Sequence, residues 1–232
     1  MSDPDPAKLE QYARKAAGWS EDEYADPVAY LAHRAELVVS LGPRLEARDE
    51  VLDLACGDGG LGVVLLARGY RYRGVDTEPA MVEAARARLD PVAGIELGDL
   101  DAYAPPHAVA ATTVFRAIYY ARDRKAFFSR VAEFTERKLV FDLNPRQYPL
   151  EPIRDELRAA GFTRIDLRPF FVPQTVRLPR PALVALRLAE RTGPLARLAL
   201  RRRFTYVVAA SRLQSGPGQE PTSRVRPGAR RS

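Results

Sequence analysis

The run Val51-Leu52-Asp53-Leu54-Ala55-Cys56-Gly57-Asp58-Gly59-Gly60-Leu61-Gly62 constrains this chain more than any other stretch. Its apolar opening, bounded by Asp53 and Gly57, predicts a short parallel strand buried on both faces. Glycines follow, and Leu61 to Arg68 then reads as a helix. Strand, glycine turn and helix form a nucleotide-binding βα unit. The glycines let backbone pass close to a ligand, and the helix N-terminus offers unpaired N–H groups. Gly57-x-Gly59-x-x-Gly62 satisfies the dinucleotide pattern. Asp53, at the strand end four residues before the first glycine, suits a ligand with a positive amino group and opposes a pyrophosphate.

Further strands and helices alternate after this unit. Tyr72–Asp76 reads as a second strand ending in an acid, and Asp76 stands near the spacing at which a carboxylate receives ribose hydroxyls. Thr77-Glu78-Pro79 opens a helix to Arg88, with Met81 on its apolar face. Ile95–Leu100 covers a third strand and its exit, and His107–Phe115 a fourth. Arg122–Phe134 is an amphipathic helix and Lys138–Leu143 a fifth strand. Glu151–Ala160 is a helix closed by Gly161, Phe162–Phe171 a sixth strand and Phe204–Ala210 a seventh. Ahead of the first strand, helices are expected over Lys8–Gly18 and Pro27–Leu41. Between them, Ser20 and Glu23 are placed to form a capping box.

Asp53-x-Ala55-x-Gly57-x-Gly59 resembles motif I of the class I S-adenosylmethionine-dependent methyltransferases, with Ala55 where that family carries its first glycine. Gly98-Asp99-Leu100 resembles the segment that meets adenine in that family, the acid accepting from N6 and the next backbone N–H meeting N1. The two early helices resemble the lid of its small-molecule members (the methyltransferase-domain 11/25 type). The resemblance covers about residues 10–212. It implies a Rossmann-like, doubly wound α/β sheet of seven strands, the seventh inserted antiparallel. It divides the chain into an N-terminal helical lid at 1–41, a methyltransferase domain at 42–212 and a disordered tail at 213–232.

The implied cofactor is S-adenosylmethionine. Its expected contacts are Asp53, Ala55, Cys56, Gly57, Asp58, Gly59, Asp76, Thr77, Met81, Asp99, Leu100 and Phe115. Arg34, Tyr12 and Tyr24 from the lid would close over its methionine end. The implied activity is methyl transfer to a small-molecule or lipid-like acceptor, through oxygen, nitrogen or carbon. An NAD(P)-binding oxidoreductase and a non-catalytic cofactor-binding protein are the alternatives. No Tyr-x-x-x-Lys pair follows the fourth strand, since Asp123 and Arg124 stand four residues after Tyr119 and Tyr120. No Asn/Asp-Pro-Pro-Tyr/Phe or Pro-Cys motif of nucleic-acid methylation occurs, which argues against a nucleic-acid partner. Because the sulfonium is already activated, alignment and exclusion of water should dominate. His33, Tyr119 and Tyr120 are the candidate catalytic side chains. His107 begins the fourth strand, at the wrong end of the sheet.

Composition narrows the setting. One cysteine and two histidines leave no disulfide and no Cys/His metal cage, so no metal is expected. The acidic start MSDPDPAKLE lacks an apolar signal core and no long apolar run occurs, so neither a secretory signal nor a membrane span is expected. A cytoplasmic location, at most peripheral to a membrane, follows. The net charge of +6 is uneven: residues 172–232 hold 13 Lys+Arg against 2 Asp+Glu. Much of that surplus lies in an insertion at 172–203, between strands six and seven, where two short helices are expected over Ala182–Arg191 and Leu195–Arg203. Three readings of the insertion stay open: a cap on the substrate pocket, contact with an anionic membrane surface through 177–203, or a grip on a phosphate or a nucleic-acid backbone.

Overall fold

The computed structural model of the chain describes residues 16–195, Leu198 and residues 205–212. Its centre is a seven-stranded sheet in the order β3-β2-β1-β4-β5-β7-β6. The strands are β1 (Glu50–Leu54), β2 (Arg71–Asp76), β3 (Gly94–Leu97), β4 (Val109–Val114), β5 (Thr135–Leu143), β6 (Arg164–Pro169) and β7 (Tyr206–Ser211). The first five run parallel, and β7 lies antiparallel between β5 and β6. The expected fold and the antiparallel seventh strand are both present. β1, β4 and β7 are buried at every residue, because helices cover both faces of the sheet.

The helices are α1 (Trp19–Glu23), α2 (Pro27–Ser40), α3 (Gly60–Ala67), α4 (Pro79–Arg88), α5 (Arg124–Phe134), α6 (Leu150–Ala159) and α7 (Arg180–Arg191). One face of the sheet packs Val51, Tyr72 and Val140 against Leu37, Leu61, Leu65 and Val82 of α2, α3 and α4. The other packs Leu52, Leu54 and Phe141 against Phe127, Phe128 and Val131 of α5 and Ile153 and Leu157 of α6. Local signals explain the boundaries. Asp26 caps α2 by accepting from the Ala29 N–H at 3.0 Å, with Pro27 at the first helical position. Past α6, Gly161 (φ +93°) donates to the Arg158 carbonyl and Phe162 to that of Leu157. That Schellman motif buries Phe162 beside Leu157.

Several expectations need correction. Ser20 is not a cap: it lies inside α1, whose N-cap is Gly18, with no side-chain bond there. β5 begins at Thr135, directly after α5 and without a loop, rather than at Lys138. β3 is shorter than expected and ends at Leu97. The insertion helix α7 begins at Arg180, two residues early, after Pro179. Of the expected helix over Lys8–Gly18, only a 3-10 turn at Ala16–Gly18 falls within the described residues. Tyr12, most of the helix expected over Leu195–Arg203, Phe204 and the tail at 213–232 lie outside the described residues. Among the described residues, no helix is long and apolar enough to cross a membrane.

Candidate cofactor and acceptor site

The strand order reverses at β1, which has β2 on one side and β4 on the other. In open α/β sheets ligands lie beyond the strand carboxyl ends at such a point. There Ala55, Cys56 and Gly57 leave β1, and Gly59 begins the turn into α3. Ala55 (φ +62°), Gly57 (φ +56°) and Gly59 (φ +76°) are all left-handed. A side chain on Gly62 would meet the Tyr72 ring at 2.6 Å, so this glycine sets how closely α3 approaches β2. At Gly57 a Cβ would find only Trp19 Cδ1, at 3.7 Å. The turn is open there except for the α1 tryptophan.

The three predicted acids occupy successive strand ends in different states. Asp53 is buried and accepts from the Tyr72 hydroxyl (2.8 Å) and the Thr113 hydroxyl (2.6 Å). Burial pushes its pKa up to about 6, against those two hydrogen bonds and the Arg34 charge. Asp76 accepts from the Gly57 N–H at 2.8 Å and the Glu78 N–H at 3.0 Å, so it fixes the glycine turn. Burial raises its pKa too, opposed by N–H groups of Glu78, Gly57 and Thr77. With three N–H groups on a carboxylate of about four acceptor sites, Asp76 keeps room for a hydroxyl donor. Asp99 is half-exposed; it accepts from the Asp101 N–H at 2.6 Å and pairs with Arg122.

Arg34 is the lid candidate that reaches the site. Its side chain is buried, its guanidinium carbon stands 4.3 Å from the Phe115 ring centroid, and a nitrogen lies 3.6 Å from Asp142. It donates to the Tyr30 hydroxyl at 3.1 Å, but Nε has no partner among the described residues. Burial alone would lower its pKa. Tyr30, Tyr24, Asp142 and Asp53 outweigh burial and hold it charged. Tyr24 reaches the same group by stacking on Tyr30, ring centroids 4.2 Å apart. A buried cation with one unused donor and the buried carboxylate Asp53 thus feel each other's charge, a combination that fits a zwitterionic amino-acid tail. The left-handed glycine turn and the lone pairs of Asp76 fit a nucleoside, so the residues present suit S-adenosylmethionine.

Other predicted positions are placed differently. Asp58 turns towards the lid: it accepts from the Ser20 N–H and hydroxyl and the Gly60 N–H, and lies 3.2 Å from Arg88. Cys56 is buried, and burial holds its thiol pKa well up. Met81 is buried, Thr77 is exposed, and Leu100 packs against the α5 and α6 side of the core. His33 does not line the large cleft. Its Nε2 is 2.6 Å from Glu190 of α7, and its ring stacks on Phe170 with centroids 5.1 Å apart. His107 pairs with Glu50 at the amino end of β1, as its position implied.

A cleft of about 850 Å³ opens beside Arg34. Tyr119 and Tyr120, both about 40% exposed, line it, and so do Tyr30, Arg116, Asp142 and Phe170. The Arg116 N–H donates to Asp142 at 2.7 Å, and its guanidinium to Glu23 of α1 at 3.0 Å. Arg116 sits at φ +56°, a costly backbone that this bond to Asp142 helps hold. Arg116 stands at the carboxyl end of the fourth strand, as the sequence implies, whereas Asp142 and Trp19 were not among the expected site residues. Asp142 carried a usable signal, as an acid one residue before the end of the fifth strand.

Comparison with known proteins agrees with this geometry. Residues 51–138 match the methyltransferase domain family. Trans-aconitate 2-methyltransferase of Paracidovorax citrulli is 38% identical over 87 residues, covering 37% of this chain and 30% of the relative. An uncharacterised methyltransferase of Schizosaccharomyces pombe is 35% identical over 88 residues, 38% of this chain and 30% of that protein. The chain thus spans about three-tenths of the length of the curated relatives it matches. A TehB-like S-adenosylmethionine-dependent methyltransferase from Corynebacterium glutamicum superposes with TM-score 0.60 at 13% identity, over 90% of this chain and all of that one. The matched residues run from β1 into β5. The fold around them is that of the class I S-adenosylmethionine-dependent methyltransferases.

Proposed function

We propose that this chain transfers a methyl group from S-adenosylmethionine to a small-molecule acceptor held in the cleft. The observation that supports the reading is the buried Arg34 guanidinium, whose Nε finds no partner among the described residues and whose charge is held by Asp142 and Asp53. Arg34 would take the carboxylate of the methionine tail and Asp53 its amino group. Asp76 would accept from the ribose hydroxyls, while Asp99 and Leu100 would border the base. The bound cofactor supplies an electrophilic methyl carbon.

The chain's own part is to orient the acceptor and keep water out, with Tyr30, Tyr119 and Tyr120 walling the cleft. Asp142 is the one carboxylate among the residues that line it, and would take a proton from an acceptor that must lose one. The matched relatives named for trans-aconitate support a small acceptor, and Arg116 gives the cleft a cation for an acidic one. The test is methyl transfer from labelled S-adenosylmethionine to a panel of carboxylated acceptors, with wild type and Asp142→Asn. Labelled product from the wild type, reduced in the variant, supports the reading. Cofactor binding with no product from any acceptor would favour a binding protein without catalysis.

A further inference from the structure

The insertion helix α7 buries Leu183 and Glu190 against the body of the protein and leaves a second apolar stripe facing outward. Glu190 is 2% exposed, holding His33 at 2.6 Å and the Phe171 N–H at 2.6 Å. Arg187 also turns inward, donating to the Ala29 carbonyl at 3.2 Å. The outward face carries Val184 and Leu188, 57% and 59% exposed, with Pro181 and Ala185 exposed beside them. An ordinary amphipathic helix buries such residues and shows its charges to solvent. Val176, Leu195 and Leu198 extend the exposed apolar set along the same segment.

Basic residues accompany this face. Arg180 and Arg191 flank it, and Arg177 stands 80% exposed just before the helix. Residues 172–203 contain eight arginines and one acid, and that acid is the buried Glu190. An apolar stripe beside arginines is matched by a surface that is apolar inside and anionic at its rim. A second copy of this chain fits poorly, because a two-fold contact would set like arginines face to face. The C-terminal segment 213–232 is itself basic, with four arginines and one acid.

We propose that the outward face of α7 docks on a bilayer containing anionic lipid. The segment leading into α7 lines the cleft through Phe170, Val172 and Gln174, so docking would bring the cleft to the lipid surface. The inference stands apart from the methyl-transfer reading, since docking needs no cofactor.

Flotation of the full chain with phosphatidylcholine vesicles, with and without phosphatidylglycerol, tests it. Binding is expected only with phosphatidylglycerol. It should fall at least about tenfold in Val184→Asp/Leu188→Asp, and comparably in Arg177→Gln/Arg180→Gln, which leaves the apolar face intact. Both variants should keep the wild-type melting temperature and circular-dichroism spectrum, which shows the fold unharmed. Equal binding to both vesicle types, or no binding, would overturn the proposal. A dimer broken by Val184→Asp/Leu188→Asp, without vesicle binding, would overturn it in favour of self-association.

Discussion

Ser20 gives both its backbone N–H and its hydroxyl to the carboxylate of Asp58, at 2.8 and 2.6 Å. The acid inside the glycine turn is thereby tied to α1, which carries Trp19 to Gly57 and Glu23 to Arg116. Ser20→Ala removes one donor from a buried carboxylate and should cost about 1–3 kcal/mol, read by urea denaturation. Affinity for S-adenosylhomocysteine should fall with it. Unchanged stability would mean that the contact carries no weight.

Ala55 holds a left-handed backbone with a side chain attached. That conformation costs an L-residue roughly 1–2 kcal/mol, while glycine loses about 0.5–1 kcal/mol through its looser unfolded chain. Ala55→Gly should therefore be neutral to slightly stabilising. Ala55→Val, with its branched Cβ, should destabilise by more than about 1 kcal/mol. Thermal denaturation of the pair decides it, and a valine variant as stable as wild type would contradict the strain.

Asp53 predicts a pH dependence. Its pKa, raised to about 6 in the fold, gives stability that is full below the unfolded value and lost as pH rises through 6. At neutral pH the cost is on the order of 3 kcal/mol. Asp53→Asn should thus stabilise the ligand-free protein at pH 7 while weakening cofactor binding. A cationic amino group favours the ionised carboxylate, so wild-type affinity for S-adenosylhomocysteine should drop as pH falls below 6. A flat affinity between pH 5 and 7 would remove Asp53 from the site.

Lys138 predicts the opposite slope at higher pH. It is fully buried in β5 and donates to the Val39 and Leu41 carbonyls at 3.1 and 2.8 Å, closing the end of α2. Burial lowers its pKa to about 7. A depressed lysine favours the fold most above its unfolded value of 10.5, and that contribution is lost as pH falls towards 7. Unfolding free energy should rise with pH between 7 and 10 in wild type, and rise less in Lys138→Met. Equal slopes would contradict it.

The strands β1, β2 and β3 were legible because an acid or a glycine at or just past each end marks the ligand side, while their arrangement in the sheet came from the family resemblance. Asp53 and Asp76 could be placed from their spacing about the glycine turn, and Asp99 from the resemblance of Gly98-Asp99-Leu100 to the family's adenine segment. Sequence could not show where side chains spend their hydrogen bonds. Ser20 has the pattern of a helix cap, yet its hydroxyl serves Asp58, a partner 38 residues away. His33 has the chemistry of a base, yet Glu190 holds it from 157 residues away. α7 was legible as a helix, but which face it buries depends on α2, since Glu190 finds its partner there rather than in water.

Isothermal titration with S-adenosylhomocysteine, set beside NADH, tests the central claim most directly. The account predicts one site per chain of micromolar affinity for S-adenosylhomocysteine, lost in Asp76→Ala, and no heat with NADH. Binding of NADH with none of S-adenosylhomocysteine would contradict it.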